Sequence, residues 1–357
     1  MEYSKIYTGE NDESIDYLYN PARGKLKLLA FKYFATIKST RNRTYKIIDF
    51  LGKGGNGIVY LVMCVDGEKK DYKGQFFALK LFQNVRDTER TKRFFKESLI
   101  LKQLDHPSIL KHYDNGVYYY KENEQDTGKK FPFFITSYIP KTLHNIMAKD
   151  DISFLEALIY SIQLLSALKE IHGKGIIHRD IKPKNIFING KTSILGDFGL
   201  MKQTGNDLIY RREFVSDLDS LCYGQALLYR SPDIIKYVQE EDEITTKSDI
   251  IQLGIVISHM FTKKNPQYSQ FERQLTPRER YLQPIEWCNN ENRCGLSVNN
   301  NSDKKISELL NAMLDDQPEN RPDANTALSE FMEIFTNYAK EEISINIDEI
   351  DKQILQF

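Results

Sequence analysis

The alternation of hydrophobic and polar positions predicts a β-rich first part of the chain. Residues 45–50 alternate with a period of two, and residues 58–65 form a second run rich in β-branched side chains. Two aromatic-rich runs, 113–120 and 131–138, predict two further strands joined by a charged loop. Residues 88–104 interrupt this series, because their apolar side chains recur at helical spacing. The pattern therefore predicts several strands accompanied by one helix.

Helical spacing dominates the second part of the chain. Ser153 and Glu156 form a capping box ahead of a run whose apolar positions recur every three or four residues until Gly173. Residues 306–314 and 324–339 are predicted to form two closing amphipathic helices. These patterns predict that the second part is mainly helical.

A short hairpin is predicted within this helical part. The apolar runs 186–188 and 193–195 flank Asn189-Gly190, which is the sequence signal for two strands joined by a tight turn. Such a hairpin would return the chain to Asp197, beside the residues that precede its first strand. The sequence therefore predicts that polar residues before and after the hairpin lie together.

The polar residues at the open end of this hairpin suit one kind of chemistry. Asp180 and Asn185 are five residues apart across a proline, so they belong to a loop and not to one face of a helix. Together with Asp197 they would bring two carboxylates and an amide to one point. Magnesium prefers hard oxygen ligands of this kind, so the sequence predicts a magnesium phosphate site here.

Composition excludes some classes of protein. In 357 residues, 49 basic side chains balance 50 acidic ones, so no overall field favours nucleic acid or a membrane. No apolar run approaches the length of a transmembrane helix and the N-terminus lacks a signal-peptide core, which predicts a soluble, cytoplasmic protein. The four cysteines are too few and too scattered for a disulfide framework. Cys288 and Cys294 could pair or bind a metal, but free thiols are the favoured interpretation.

The loop around Asp180 carries a resemblance to a known family. His-Arg-Asp-x-x-x-x-Asn at 178–185, followed by Asp-Phe-Gly at 197–199, resembles the catalytic and metal loops of eukaryotic-type (Hanks-type) serine/threonine protein kinases. The glycine-rich segment 52–57 lies between two predicted strands, whereas a dinucleotide-binding fold needs a helix directly after its glycines. The form of this segment, Gly-Lys-Gly-Gly-Asn-Gly, is similar to bacterial members of the family.

This resemblance covers about residues 45–338 and implies an α+β, bilobal kinase domain. A small β-rich lobe with one regulatory helix would span about residues 45–137. A larger helical lobe would span about residues 140–338. Residues 1–44 would then form an N-terminal extension, and residues 339–357 an acidic C-terminal tail.

The resemblance implies a catalytic role for five matched residues. Asp180 would accept or orient the proton of the substrate hydroxyl, and Lys182 would neutralise the γ-phosphate. Asn185 would hold a magnesium ion. Lys80 would hold the α- and β-phosphates of ATP and would be kept in place by Glu97.

A larger set of residues is implied to bind the nucleotide and its metal. The cofactors are ATP and Mg²⁺, and the ion would be held by Asn185 and Asp197. Glycines let the backbone approach the phosphates, and a hinge segment would meet the edge of the adenine. The implied nucleotide-binding residues are Leu51, Gly52, Gly54, Gly57, Val59, Ala78, Lys80, Thr136, Ser137, Tyr138, Ile139, Phe187 and Asp197.

The function implied by the resemblance is transfer of phosphate to proteins. Lys182 within Asp-Ile-Lys-Pro is typical of serine/threonine kinases, so the partners would be protein substrates with serine or threonine acceptors. The alternative is a pseudokinase scaffold that binds ATP without efficient transfer. Such a scaffold usually lacks one of three residues that this chain retains, namely Lys80, Asp180 and Asp197.

Two positions depart from the family pattern. Asp233 replaces the usual glutamate, and because it is one methylene shorter, its ion pair with Arg321 is predicted to be weaker or bridged by water. Ala226 stands where serine/threonine kinases usually carry threonine. A contact of the substrate loop to the catalytic aspartate and lysine would therefore be absent.

Control by the segment after the metal loop is a further hypothesis. Arg179, next to Asp180, could pair with a phosphate attached to that segment. The predicted autophosphorylation sites are Thr204, Ser216 and Ser220. Asp217 and Asp219 offer the alternative of a permanent acidic substitute for the phosphate.

The segment before residue 45 mixes apolar and basic positions. Residues 25–38 combine leucine, phenylalanine and isoleucine with four lysines. One interpretation is a basic amphipathic helix that binds an acidic partner or a membrane surface. The other is an extra element packed on the small lobe, because aromatic residues mixed with lysine are typical of half-buried surfaces.

Overall fold

The computed structural model divides the described residues between two compact units. The first comprises residues 1–105 and 110–138, and the second comprises residues 106–109 and 139–357. Within these ranges the structure describes residues 4–7, 15–20, 24–53, 57–66, 72–120, 129–149, 152–203, 226–239, 244–268, 275, 279 and 282–354. Strands predominate in the first unit and helices in the second, which agrees with the predicted α+β class.

The first unit is built on a six-stranded antiparallel sheet. The strands are β4 (Thr36–Lys38), β5 (Thr44–Lys53), β6 (Gly57–Asp66), β7 (Phe76–Phe82), β8 (His112–Tyr120) and β9 (Lys129–Ser137). Their spatial order is β4-β5-β6-β7-β9-β8, and helix α1 (Thr88–Gln103) follows β7 in the chain. The four strands and the helix predicted from hydrophobic spacing all lie in this unit.

Residues ahead of this sheet form strands as well. β1 (Ser4–Tyr7), β2 (Ile15–Asn20) and β3 (Gly24–Leu29) make a separate three-stranded antiparallel sheet. The amphipathic helix considered for residues 25–38 is therefore wrong, because β3 and β4 occupy that segment. Its first residues, Lys-Leu-Lys-Leu, alternate with a period of two, which suits a strand.

A buried carboxylate attaches the segment before β5 to the six-stranded sheet. Asp114 on β8 is fully buried and accepts hydrogen bonds from Ser39 Oγ at 2.7 Å, Tyr45 Oη at 3.2 Å and Arg43 Nη1 at 3.3 Å. Burial, with the charge of Asp114, raises the pKa of Tyr45. Within residues 25–38, Ala30, Phe31 and Ile37 are buried in the core of the six-stranded sheet, so this part of the segment packs on the sheet, as the second interpretation predicted.

The second unit is largely helical. Its helices are α2 (Leu143–Met147), α3 (Phe154–Gly173), α4 (Pro232–Val238), α5 (Lys247–Thr262), α6 (Asn301–Met313) and α7 (Ala324–Ile354). Ser153 and Glu156 form the predicted capping box of α3. Helix α5 lies at the centre of the packing, since nearly all of its side chains are buried. None of the helices in the described part of the chain combines the length and apolar character needed to cross a bilayer.

Short strands complete the second unit and include the predicted hairpin. β12 (Ile186–Asn189) pairs with β13 (Thr192–Leu195), and Gly190 between them has a φ of +60°, a value that glycine adopts without strain. β10 (Lys141–Thr142) extends this sheet beside β12. The remaining pairs are β11 (Ile176–Ile177) with β14 (Lys202–Gln203), and β15 (Gln267–Tyr268) with β16 (Glu286–Trp287).

Candidate active site

In the first unit the structure brings Lys80 and Glu97 into direct contact. Lys80 on β7 places Nζ 2.8 Å from Oε1 and 3.0 Å from Oε2 of Glu97 on α1. The lysine side chain is 21% exposed and the glutamate 4%, so the carboxylate is buried while the amine keeps access to solvent. The ring of Phe134 on β9 lies 5.7 Å from the same Nζ and adds a cation–π contact.

The glycine-rich segment is described only at its two ends. Gly52 on β5 lies opposite Val59 on β6, and Leu51 beside it is exposed. Gly57 begins β6 against β7, where an added Cβ would lie 2.4 Å from the carbonyl oxygen of Leu81, so only glycine fits there. Gly54, which was predicted to bind phosphate, lies outside the described residues.

The residues predicted to meet the adenine lie on two neighbouring strands and directly after the second of them. Ala78 on β7 pairs with Thr136 on β9, and Thr136 is buried. Ser137 follows at the end of β9, and Tyr138 is the last residue of the first unit. Ile139 belongs to the second unit and is buried there.

In the second unit Asp180 is the centre of a compact polar cluster. Lys182 Nζ donates to both carboxylate oxygens at 2.9 Å, and Asn185 Nδ2 donates to Oδ2 at 2.8 Å. The same Nδ2 also lies 2.8 Å from the Asp180 carbonyl oxygen. Burial raises the pKa of the Asp180 carboxyl; the charge of Lys182 opposes this rise, and the carboxylate of Asp197 adds to it. A buried carboxylate of raised pKa beside a lysine is suited to accept a proton.

The loop that carries Asp180 is held by a buried side chain of α5. Asp249 Oδ2 accepts the main-chain N–H of His178 at 2.8 Å, and Oδ1 accepts that of Arg179 at 2.7 Å. His172 at the end of α3 places Nε2 2.9 Å from Oδ2 of the same aspartate. Asp249 therefore fixes the loop backbone.

The hairpin returns the chain to Asp197 as expected. His178 Nε2 lies 3.0 Å from the carbonyl oxygen of Gly196, and its ring packs edge-on against the buried ring of Phe198 at 4.7 Å. Asp197 itself adopts a left-handed φ of +56°. Phe187, predicted to lie beneath the adenine, is half-buried on β12.

Carboxylate and amide groups of this loop could supply oxygen ligands to a metal. Both side-chain bonds of Asn185 use its nitrogen, which leaves Oδ1 for an ion, and Asp197 offers a carboxylate. This donor set fits magnesium, because the ion takes few protein oxygens and keeps water in its other positions. In the described parts of the chain, no cluster of three or more His, Cys, Asp or Glu side chains is placed to hold a metal.

The contact between Asp233 and Arg321 corrects one sequence prediction. Instead of a weak or water-bridged pair, the guanidinium bonds both carboxylate oxygens directly, at 2.6 Å and 2.8 Å. Ser248 Oγ donates to the same carboxylate at 2.8 Å. Both charged side chains are almost fully buried, and the carbonyls of Asp315 and Lys247 accept further guanidinium bonds. The shorter aspartate thus reaches the arginine directly, and Ser248 on α5 adds a bond to it.

The segment after the metal loop is described only at its beginning and end. Arg179 donates Nε to the carbonyl of Leu200 and Nη2 to that of Met201 at 3.3 Å. A 3₁₀ turn, Ala226–Tyr229, resumes the described chain. The predicted phosphorylation sites and acidic substitutes lie outside the described residues, namely Thr204, Ser216, Asp217, Asp219 and Ser220.

Sequence reasoning missed one residue that contacts the loop. Gln252 on α5 accepts the N–H of Ile181 at 3.1 Å and donates to the carbonyls of Arg179 and Tyr229 at 3.2 and 3.1 Å. The available signal was a glutamine three residues after Asp249 in an otherwise apolar helix. That spacing places both side chains on the same side of α5.

Comparison with known proteins agrees with the resemblance. A family model described as "Protein kinase domain" matches residues 45–332, most of the chain. The chain is 31% identical over 224 residues to "Probable serine/threonine-protein kinase glkA" of Dictyostelium discoideum, and 30% identical over 236 residues to "Mitogen-activated protein kinase kinase kinase 3" of Arabidopsis thaliana. It is also 28% identical over 296 residues to "Probable serine/threonine-protein kinase nek2" of D. discoideum.

These relatives are longer than the matched region. The alignments cover 62%, 64% and 80% of this chain but 40%, 34% and 61% of the respective relatives. The likeness therefore concerns the region between residues 45 and 332 and its fold. The predicted family and fold class are confirmed.

Proposed function

Since this chain belongs to the eukaryotic-type serine/threonine protein kinase family, we propose that it transfers the γ-phosphate of ATP to serine and threonine hydroxyls of protein substrates. The single observation that carries the proposal is the Asp180 cluster. A buried carboxylate of raised pKa lies within hydrogen-bond distance of Lys182 and Asn185. Phosphoryl transfer depends mainly on positioning and on charge stabilisation, and this cluster provides both.

The chain's own residues divide the work of the reaction. Asp180 accepts or orients the proton of the acceptor hydroxyl, since its raised pKa favours proton acceptance. Lys182 donates to the carboxylate in the structure and would turn to the transferred phosphate when substrate is bound. Asn185 and Asp197 would hold Mg²⁺, which neutralises phosphate charge when bound.

The Lys80–Glu97 pair serves the nucleotide. Lys80 Nζ is a compact positive charge, and the buried Glu97 fixes its position from α1. We propose that Lys80 bonds the α- and β-phosphates. Gly52, Gly57 and the strand residues around them would support the same nucleotide, and Thr136 to Ile139 would meet its adenine.

Autophosphorylation of the segment after residue 203 is part of the proposal. Arg179 holds the carbonyls of Leu200 and Met201, directly ahead of that segment, so a phosphate carried there would meet a guanidinium. The candidate acceptors remain Thr204, Ser216 and Ser220. Phosphopeptide mapping of fully active protein tests this step, and finding all three sites unmodified would contradict it.

The test of function is transfer of labelled γ-phosphate from Mg-ATP to a generic protein substrate. Asp180→Asn keeps the shape of the side chain but removes the base, so transfer should fall by roughly 10²- to 10⁴-fold. Asp197→Ala should remove it as well. Asp105→Asn, at an exposed aspartate, is the matched control and should transfer at the wild-type rate. Undiminished transfer by Asp180→Asn would contradict the proposal, and ATP binding without any transfer would indicate a scaffold.

A further inference from the structure

Gln252 lies one turn beyond Asp249 on α5, and its side chain is only 3% exposed. Its amide meets three main-chain groups. Oε1 accepts the N–H of Ile181, while Nε2 donates to the carbonyls of Arg179 and Tyr229. A carboxamide has an acceptor and two donors, so this one side chain can satisfy all three groups.

Two of these groups flank Asp180 directly. The Arg179 carbonyl belongs to the peptide plane before Asp180, and the Ile181 N–H belongs to the plane after it. Because the two peptide planes on either side of a residue define its backbone dihedrals, Gln252 fixes the conformation of Asp180. The direction of the Asp180 carboxylate depends on that conformation.

The backbone beside Asp180 needs such support. Arg179 has a φ of +68°, a left-handed conformation that is strained for a residue with a side chain. Asp249 holds the N–H of Arg179 and Gln252 holds its carbonyl, at 2.7 Å and 3.2 Å. Both ends of this strained residue are therefore attached to α5.

The third bond of Gln252 reaches a segment that is itself fixed. Asn265 Nδ2 donates to the carbonyl of Leu228 at 3.0 Å. Gln267 Oε1 accepts the N–H of Arg230 at 3.3 Å, and its Nε2 donates to the Arg230 carbonyl at 2.8 Å. The Tyr229 carbonyl thus lies between two residues whose backbones are held by side chains. Gln252 links this fixed segment to the loop of Asp180.

We propose that Gln252 is a positioning residue that holds Asp180 in the orientation needed to receive the acceptor hydroxyl. This inference deepens the proposed function and rests on it. The amide makes no contact with reacting atoms and acts through the main chain on both sides of Asp180. Its removal lowers the rate of transfer to the acceptor and leaves the affinity for ATP unchanged.

The kinetic test compares Gln252→Leu with a matched glutamine variant. Leucine is apolar and similar in size to glutamine, and it can form none of the three hydrogen bonds. Gln163 on α3 is the control, because it also bonds main-chain groups, the carbonyl of Lys191 at 3.1 Å and the N–H of Ser193 at 2.7 Å. Gln252→Leu should lower kcat for a peptide acceptor about 10- to 100-fold with KM for ATP unchanged, whereas Gln163→Leu should leave kcat at the wild-type value.

A second variant and a second measurement cover poor folding and absent activity. Gln252→Glu retains the oxygen that accepts the N–H of Ile181 and loses both donors. It should therefore release the carbonyls of Arg179 and Tyr229 while the Ile181 amide stays protected from exchange. Amide hydrogen exchange, measured on each full-length variant at matched stability, should rise at Ile181 in Gln252→Leu and stay low in Gln252→Glu and Gln163→Leu.

Each outcome decides the proposal. Unchanged kcat in Gln252→Leu, a loss matched by Gln163→Leu, or unchanged exchange at Ile181 would overturn it. An equal loss of ATP affinity would assign Gln252 to the stability of the fold and would overturn it as well. If the wild-type chain transfers no phosphate, the proposed function fails, and the assigned role fails with it even where exchange still detects the link to Ile181.

Discussion

Each of the two units contains an ion pair between a strand or loop and a helix, and the two pairs differ in construction. Lys80 meets Glu97 through a single amine that touches both carboxylate oxygens, and the lysine is 21% exposed. Arg321 meets Asp233 through two separate guanidinium nitrogens, and the arginine side chain is fully buried. The lysine of the first pair keeps access to solvent, whereas both members of the second pair are buried.

This difference is the one expected between a contact proposed to serve the nucleotide and a contact that stabilises the fold. An amine at the end of a flexible chain can move to a phosphate and return to its carboxylate. A guanidinium held by two parallel bonds is fixed in direction as well as distance. The carbonyls of Lys247, Asp315 and Asp316 hold it further, at 3.0, 2.6 and 3.1 Å. Variants of the two pairs should therefore fail in different assays.

Breaking the buried pair should give the largest change in stability. Arg321→Ala leaves the Asp233 carboxylate buried without its cation, so the free energy of unfolding should fall by about 3–5 kcal/mol. Urea unfolding followed by circular dichroism measures this loss. Lys305→Ala, which removes an exposed bond to Glu333, is the control and should change the free energy of unfolding little. A similarly small loss in Arg321→Ala would show that the pair does not hold α4 to the turn before α7.

Breaking the Lys80–Glu97 pair should instead change activity. Lys80→Met keeps most of the side-chain volume and removes the charge, so kcat should fall about 10²- to 10³-fold, as for loss of one electrostatic contact in a transition state. Glu97→Gln retains the lysine but weakens its support, and a loss of roughly 10- to 100-fold is expected. Steady-state kinetics with Mg-ATP and a peptide acceptor measure both.

The stability of these two variants sharpens the distinction between the pairs. Lys80→Met leaves the buried Glu97 carboxylate without its cation, but because the lysine side chain is 21% exposed, the loss of unfolding free energy should be about 1–3 kcal/mol, smaller than in Arg321→Ala. Glu97→Gln removes the buried charge and should cost no more. Loss of activity that follows loss of folded protein in Lys80→Met would contradict the separation of roles. Retained activity in Lys80→Met would exclude the proposed contact with phosphate.

The sequence alone predicted those features that depend on short-range patterns. Alternation and helical spacing identified four of the six strands of the sheet (β5, β6, β8 and β9), α1, α3 and the β12–β13 hairpin, because each is set by neighbours in the chain. The family resemblance linked Lys80 with Glu97, and the structure has them in contact. Residues 25–38 were ambiguous because lysine occurs among apolar residues in exposed strands and in surface helices alike.

Long-range contacts could not be predicted in the same way. Gln252 reaches main-chain groups that lie 71, 73 and 23 residues away, and main-chain groups leave no trace in the sequence. The geometry of the Asp233–Arg321 pair depends on how closely α4, α5 and the turn at Pro318–Asn320 pack. The number of methylenes gives the length of the Asp233 side chain but not its distance from Arg321 in the fold.

Restoring the usual glutamate tests that packing. Asp233→Glu adds a methylene to a fully occupied site, so the bidentate contact must shift, and the free energy of unfolding should fall by about 1–3 kcal/mol. The measurement is urea unfolding against wild type, with Asp303→Glu, at a helix N-terminus with a similarly buried aspartate, as control. Higher stability in Asp233→Glu would mean that the shorter side chain leaves the pair under strain.

The smallest expected effect concerns the helix that carries Glu97. Ser98, next to Glu97 on α1, bonds His112 on β8, with Oγ and Nε2 3.1 Å apart. Burial lowers the pKa of His112 to about 4; Asp114 opposes this shift, and Lys102 and Arg41 add to it. The neutral imidazole is thus the form present in the folded chain at neutral pH.

The direction of the pH effect follows from this lowered pKa. Between about pH 6.5 and pH 4 the unfolded chain binds a proton at His112 and the folded chain does not, so stability falls as the pH falls. His112→Gln keeps a partner for Ser98 without the titration. It should reduce the loss of unfolding free energy between pH 7 and pH 5 by on the order of 1 kcal/mol.

Part of the pH dependence should remain in this variant, because burial also lowers the pKa of His259 in the second unit to about 4. Urea unfolding at pH 7, 6 and 5 separates the two contributions. If the free energy of unfolding falls with pH as steeply in His112→Gln as in the wild type, His112 binds its proton as readily in the folded chain as in the unfolded chain. The Ser98–His112 contact, which joins α1 to β8 beside Glu97, would then change with the protonation of His112.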